Sequence, residues 1–246
     1  MMKDRFSNQA GLYAAFRPVY PKSLFQFIMQ YVTAHDLAWD VATGNGQSAV
    51  ELSPYFTKVM ATDTSQKQID NAIGADNIIY KVEPAEKSSL EKNSVNLITV
   101  AQALHWFDTA KFYAEAKRVA TDNAVIAVWT YNLLESDAYT DKIIHDFHFN
   151  ILKDYWDPER KHVINNYAAI PFPFAQLQAP VFYIDTNWVP AQLEGYLKTW
   201  SGLQKFITAG NPDPIEAIMK KILQFWPENE QRPVRFPLHV KIARIN

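Results

Sequence analysis

The sequence predicts an α/β fold: a doubly wound, mostly parallel sheet, closed by a C-terminal antiparallel strand and carrying a helical, aromatic-rich insertion. Three observations predict it. Short Val- and Ile-rich apolar runs recur through the first half, segments with helical spacing separate them, and the last stretch changes to period-two alternation. A length of 246 residues, set against roughly 150 per domain, suits one domain with sizeable insertions.

The elements follow in chain order. An amphipathic helix opens the chain, with Pro21 in its first turn and Leu24, Phe27, Ile28 and Tyr31 at one-face spacing. Residues 1–35 therefore read as a helical cap. The runs Leu37 to Ala42, Lys58 to Thr62, Ile78 to Val82, Val95 to Ala101 and Ala124 to Trp129 have the length and composition of strands buried on both faces. Helical segments lie between them at Ser48 to Tyr55, Ser65 to Ile73 and Asp108 to Ala120. In the last, Asp108 suits the N-cap, and Lys117 and Arg118 suit the C-terminal dipole. Right-handed crossovers then fix most of the topology of a core over 36–131.

Beyond Tyr131 the pattern changes. Residues 132–178 mix aromatics with polar residues and end in Pro171-Phe172-Pro173, as an insertion covering something would. A strand is expected from Val181 to Ile184, closing the sheet within 179–185. A second covering insertion, 186–230, carries helical stretches at Ala191 to Lys198 and Pro214 to Phe225. Within 235–246, Phe236, Leu238, Val240 and Ile242 alternate with Arg235, Pro237, His239 and Lys241, which marks a half-exposed antiparallel strand.

Composition excludes several classes of function. The chain is 48% hydrophobic and 14% aromatic, ample for a core, so disorder is not its main state. With 24 basic and 26 acidic side chains the net charge is -2, and no overall positive field exists to hold a polyphosphate. Nucleic acid is not expected as a partner. Zero cysteines remove disulfides, thiolate metal sites and a cysteine nucleophile together. No stretch approaches ~18 consecutive apolar residues, and Met1 to Gln30 holds no apolar signal region. The expectation is a soluble, cytoplasmic protein without a membrane partner; its oligomeric state is not legible.

Two of the 7 glycines fall in Asp40-Val41-Ala42-Thr43-Gly44-Asn45-Gly46, directly between the first strand and a helix. Gly44 and Gly46 permit backbone angles and close approaches that a Cβ would block, and the helix behind them offers free N–H groups to a ligand. A ligand-free tight turn is the alternative. Asp63 ends the second run, 19 residues after Gly44. There a carboxylate can accept hydrogen bonds from both ribose hydroxyls of a nucleoside, or else cap the helix from Ser65.

Two cofactors compete for this loop. Spelled Gly44-x-Gly46-x-x-Ala49, it satisfies the dinucleotide fingerprint and suits NAD. Asp40, four residues before Gly44, would repel a diphosphate but attract an ammonium, which S-adenosylmethionine supplies without any phosphate. Asp40 therefore favours S-adenosylmethionine, unless it is a backbone-bonded turn acid.

With these residues in place, the sequence resembles the class I S-adenosylmethionine-dependent methyltransferases, in particular the small-molecule group with the trans-aconitate methyltransferase-like proteins. The resemblance spans nearly the whole chain. It rests on Tyr13, Phe16-Arg17-Pro18, Tyr20-Pro21, Asp40 to Gly46, Asp63, Ala85-Glu86, Ala101 to Asp108 with its His-Trp-Phe-Asp tetrad, and Gly195 to Ser201. It implies a Rossmann-like methyltransferase fold in which Gly44 and Gly46, with Ala42, pass close to the methionine portion of the cofactor. Asp40 would serve its ammonium, Arg17 its carboxylate, Asp63 with Thr64 the ribose, and Ala85 and Glu86 the adenine. Gln102 and His105 would face the methyl group and the acceptor, with Tyr20, Trp106 and Tyr131 lining the acceptor pocket.

Two positions depart from the family pattern. Ala42 replaces the first glycine of the triplet, which is tolerable if its backbone angles are ordinary. Pro84 stands where an acid often reads the adenine amino group, a contact that proline cannot make.

The resemblance implies methyl transfer to a small organic acceptor by in-line displacement, accelerated mostly by proximity and orientation. For a hydroxyl acceptor His105 is the candidate base, because imidazole titrates near neutrality; for a carboxylate it would only orient. A packing or capping His is the alternative. Gln102-Ala103-Leu104-His105 stands where methyltransferases of planar base amines often carry an Asn/Asp-Pro-Pro-Tyr-like segment, which disfavours a nucleobase. The aromatics from Tyr139 to Tyr167, with Trp188 and Trp200, could line a pocket or form ordinary core. Asp141, His145, His148 and His162 have metal-like spacing, but paired His on a helix are frequent and no metal is expected. Two further readings stay open: an NAD-dependent oxidoreductase and a non-catalytic nucleoside-binding module.

Overall fold

The computed structural model describes Phe16 and residues 18–245. Arg17 and Tyr13 lie outside the described residues. Five strands, β1 (Leu37–Val41), β2 (Lys58–Asp63), β3 (Ile78–Val82), β4 (Val95–Ala101) and β5 (Ala120–Tyr131), pair in parallel. The sheet continues with β6 (Gln176–Leu177), β7 (Phe182–Trp188) and β8 (Arg232–Arg244), in the order β3-β2-β1-β4-β5-β8-β6, with β7 also on β8. β8 joins the two parts. Its residues 238–244 pair antiparallel with β5, and its residues 232–238 pair antiparallel with β7.

The strand residues divide by parity. Ala38, Val59, Ala61, Leu97, Val125, Ala127 and Trp129 face one core. Their neighbours Trp39, Val41, Met60, Ile98, Val100, Ile126 and Val128 face the other. Every strand from β1 to β5 except the edge strand β3 thus needs apolar residues at consecutive positions, which is why these segments read as unbroken runs.

Helices cover both faces: α1 (Lys22–Met29), α2 (Gln47–Leu52), α3 (Gln66–Asp70), α4 (Thr109–Val119), α5 (Ala138–Asp146), α6 (Arg160–Ile164), α7 (Pro190–Lys198), α8 (Ser201–Thr208) and α9 (Ile215–Ile222). The Asp108 carboxylate caps α4 by accepting the Lys111 N–H at 3.3 Å. At the other end Arg118 pairs with Glu115 at 2.7 Å and donates to the Leu90 carbonyl.

Several boundaries differ from the sequence reading. α2 stops at Leu52, where Pro54 turns the chain into a short 3-10 turn. α3 ends at Asp70, three residues before Ile73. α1 starts after Pro21, which is its N-cap, ends at Met29, and buries Phe25 beside Leu24 and Ile28. β7 runs on to Trp188, and β8 begins at Arg232. α5 is the helix on which the sequence reading placed Asp141 and His145, whereas α6, α8 and β6 have no counterpart in it; short helices mixing aromatic and polar residues leave no clear period.

Two glycines of the C-terminal helices act as seats for rings. A Cβ on Gly195 of α7 would stand 2.4 Å from the Phe16 ring, and one on Gly202 of α8 would stand 2.9 Å from the Trp156 indole. For Gly195→Ala, overpacking of about 1–3 kcal/mol outweighs the ~1 kcal/mol that Ala gains over Gly in a helix. Urea unfolding should show this variant destabilised. In a Phe16→Ala background the same change should become stabilising by up to about 1 kcal/mol; a persisting loss there would clear the ring of responsibility.

Candidate active site

The strand order reverses between β1 and β4, and this switch point opens a crevice at the C-terminal ends of the strands. Asp40 is the next-to-last residue of β1 and is fully buried. Its Oδ1 accepts the Thr99 hydroxyl of β4 at 2.7 Å, and its Oδ2 accepts the Thr43 hydroxyl at 2.5 Å. Burial pushes this carboxyl up to about 6, with the hydroxyl bonds opposing and the charge of Asp63 adding to the rise. A buried carboxylate held by neutral hydroxyls is suited to a cationic ligand.

Asp63, at the end of β2, ties two loops together. Its Oδ2 accepts the Gly44 N–H at 3.0 Å and its Oδ1 accepts the Ser65 N–H at 2.8 Å. Ser65, not Asp63, supplies the cap of α3, through its bond from the Gln68 N–H. Thr64 is exposed beside it.

The glycine loop is left-handed at three points: Ala42 (φ +52), Gly44 (φ +58) and Gly46 (φ +85). The condition attached to Ala42 therefore fails. Its angles are not ordinary, and an L-residue there costs roughly 1–2 kcal/mol, strain of the kind found at ligand sites. Around Gly44 the space is open. A Cβ on Gly46 would lie 2.0 Å from the Tyr80 Oη, and Tyr80 donates to the Ile73 carbonyl at 2.6 Å. Tyr80 escaped the sequence reading; a glycine beside a ligand loop signals a close approach, but not which residue makes it.

Ala85 is buried in the second core, and Glu86 accepts the Asp108 N–H at 2.9 Å, linking the loop after β3 to the tetrad. After β4, Gln102 adopts φ +57. Its amide donates to the Tyr131 carbonyl at 3.2 Å and accepts the Thr130 hydroxyl at 2.6 Å. His105 follows, with Nδ1 2.9 Å from the Tyr167 Oη and its ring 4.5 Å from that of Trp106.

Gln102, His105, Trp106 and Tyr131 meet Trp156, Arg160, Trp200 and Ser201 around one pocket of about 630 Å³, part of it open to solvent. The inserted segments thus supply its outer wall. Arg160 lies over the Trp156 ring at 4.9 Å, and Asp157 pairs with Lys205 at 2.7 Å. Tyr20 does not line this pocket; its ring is buried edge-on against Trp129 at 5.5 Å. Trp156 and Trp200 belong to the aromatics that the sequence offered either as pocket lining or as core, whereas Arg160 was not singled out, because only the fold brings it to this pocket.

His105 does not titrate near neutrality, contrary to the sequence expectation. Burial, with the charges of Arg160 and His162 adding to it, pushes the imidazole down to about 3. It is neutral in the physiological range. Of the metal-like set, His148 stacks on Trp156 at 4.5 Å and Asp141 accepts the Ser136 N–H. No group of three or more metal-ligating side chains occurs among the described residues.

Residues 39–128 match a family model described as a methyltransferase domain. A Dictyostelium discoideum protein bearing a provisional methyltransferase name is 34% identical, over 98% of this chain and 95% of its own length. The chain belongs to the class I S-adenosylmethionine-dependent methyltransferases. It is also similar to a solved structure from Anaeromyxobacter dehalogenans, titled with the same reserve as a type II methyltransferase. That structure superposes with TM-score 0.87 and 35% identity over 94% of this chain and 98% of its own. The Saccharomyces cerevisiae protein CRG1, named with similar reserve as an S-adenosylmethionine-dependent methyltransferase, is 25% identical over 68% of this chain and 63% of its length. Among the described residues of this methyltransferase, no helix is long and apolar enough to cross a membrane.

A cationic ligand held by Asp40 would bind with a pH dependence of definite sign, because the carboxyl is raised. Below about 6 a proton must leave Asp40 before a cation can pair with it, so affinity for S-adenosylmethionine should fall up to about tenfold per pH unit. In the protein alone the sign reverses: because the folded carboxyl is raised, its cost to stability grows as pH rises from 4 to 6 and is constant above. Calorimetric titration between pH 5 and 7.5 should show the decline in wild type, and a weaker, flat profile in Asp40→Asn.

Proposed function

We propose that this enzyme methylates a small organic acceptor, with a carboxylate or hydroxyl as nucleophile, in the pocket bounded by Gln102, His105, Trp106 and Tyr131. The observation that carries the reading is the opening of that pocket beside the residues that end β4. β4 is itself joined to the cofactor-loop strand through the Asp40–Thr99 bond. Nucleic acid and membrane are not among its proposed partners, given the charge balance of -2, and we place it in the cytoplasm.

In this reading Asp40 holds the cofactor ammonium, the open space at Gly44 receives the methionine portion, and Asp63 takes the ribose hydroxyls while keeping the loop in shape. Bound S-adenosylmethionine supplies an electrophilic methyl group on a sulfonium. The chain supplies placement: Gln102 is locked by its two bonds, the Trp106 and Trp156 rings exclude water, and His105 presents an uncharged ring to the acceptor. A diphosphate is disfavoured because its charge would face buried Asp40.

Asp63→Ala should cost about 1.5–3 kcal/mol of S-adenosylmethionine binding, ten- to more than hundredfold in affinity. S-adenosylhomocysteine should form with members of a panel of small carboxylates and alcohols. Tight NADH binding without response to S-adenosylmethionine would return the reading to an oxidoreductase. Clear cofactor binding with no product across the panel would indicate a non-catalytic module.

A further inference from the structure

Among the described residues that line the pocket, the charged ones are Asp157 and Arg160. Asp157 pairs with Lys205 of α8 at 2.7 Å, so its charge is balanced. Arg160 brings a permanent positive charge, and its guanidinium lies over the Trp156 ring, 4.9 Å from the centroid. The guanidinium carries several N–H donors in a planar fork, more than one neighbour can use. α6, which begins with Arg160, packs on the turn Leu104–Trp106 that carries His105.

The same wall holds a donor with nothing to donate to. Trp200 is 2% exposed and lines the pocket, and its indole N–H has no hydrogen-bond partner among the described residues. Trp156, whose ring lies 5.6 Å from that of Trp200, gives its own N–H to the His148 carbonyl at 3.0 Å. A buried donor without an acceptor is costly, so one in a pocket wall calls for a ligand that supplies the acceptor. A guanidinium and an indole N–H together suit a monoanion. A carboxylate can place both oxygens on the fork and keep a lone pair for the indole. The second charge of a phosphate monoester would find no second cation among the lining residues and would face Asp157.

We propose that Arg160 and Trp200 form a carboxylate-binding subsite in the outer wall, so that the acceptor is a bifunctional acid. One carboxylate is anchored there, and a separate oxygen, of a hydroxyl or a second carboxylate, receives the methyl group. This rests on the methyl-transfer reading above. The division of labour follows from the chemistry of the anchor: a carboxylate whose lone pairs are drawn into charge-assisted hydrogen bonds is a poor nucleophile. At the end of β4, Gln102 is engaged with the Tyr131 carbonyl and the Thr130 hydroxyl, and His105 is neutral, so neither brings a positive charge to the reacting oxygen. That oxygen bonds to the methyl carbon as the carbon–sulfur bond breaks with its electron pair left on sulfur. A hydroxyl gives its proton to water at the open side of the pocket. An amide in place of the anchored carboxylate would meet the fork with one neutral acceptor instead of two charged ones, which makes Arg160 a determinant of specificity.

A panel of hydroxy acids and dicarboxylic acids, each paired with the amide of one carboxylate, tests the subsite on the full-length protein through the S-adenosylhomocysteine formed. In wild type each substrate acid should exceed its amide in kcat/KM by about tenfold or more. Arg160→Gln should bring that ratio close to unity, chiefly through KM, and Trp200→Phe should lower it by about threefold or more. A variant that is only damaged in folding loses both members of a pair alike and leaves the ratio unchanged. Calorimetric titration of the same pairs into wild type saturated with S-adenosylhomocysteine reads the preference without turnover. The proposal is overturned if wild type binds acids no better than amides, if Arg160→Gln keeps the preference, or if acids with a single carboxylate and no hydroxyl are methylated as well as bifunctional ones. Absence of S-adenosylmethionine binding would instead defeat the underlying function, and titration of the pairs into the protein alone would still decide the subsite.

Discussion

The site depends on one unfavourable placement, a carboxylate with no solvent exposure at the end of the strand where the sheet reverses order. Removing Asp40 from water raises its proton affinity, and the hydroxyls of Thr43 and Thr99 only partly offset that. The same two bonds tie the glycine loop to β1 and β1 to β4. Such a buried carboxylate is costly to the protein, and the hydroxyls that limit the cost also hold the glycine loop in shape.

The parallel sheet supplies rigidity, and the inserted segments supply enclosure. Because β1 to β5 except β3 are packed on both faces, the loops at their C-terminal ends are held by two cores. Asp63 reaches across to the Gly44 N–H, and Glu86 reaches across to the Asp108 N–H, so loops from neighbouring strands fix one another. The outer wall is assembled differently. Trp156 rests where Gly202 leaves room and carries Arg160 over its ring, an arrangement of aromatic and small residues rather than of backbone ladders.

Burial gives His105 a character that its residue type does not disclose. Away from water and near Arg160 and His162, its imidazole stays neutral. For a displacement at a methyl group this is sufficient, since alignment and exclusion of water contribute most of the acceleration.

Much of this was legible in the chain. Apolar runs marked β1 to β5, alternation from Phe236 to Ile242 marked β8, and Asp40, Gly44, Gly46 and Asp63 stood out because strand ends and glycine turns are local features with local signals. The bounds of the helices within 132–178, the seats at Gly195 and Gly202, the burial of Tyr20 away from the pocket, the left-handed angle at Ala42 and the approach of Tyr80 to Gly46 were not legible. Each depends on contacts between residues distant in sequence. The amino-acid sequence by itself determined the sheet, the loop and the charges beside it, because periodicity and backbone freedom are properties of short segments. Tertiary structure alone decided how segments distant in sequence close around the pocket and that His105 is buried enough to stay neutral, because solvent exclusion arises only when separate segments meet.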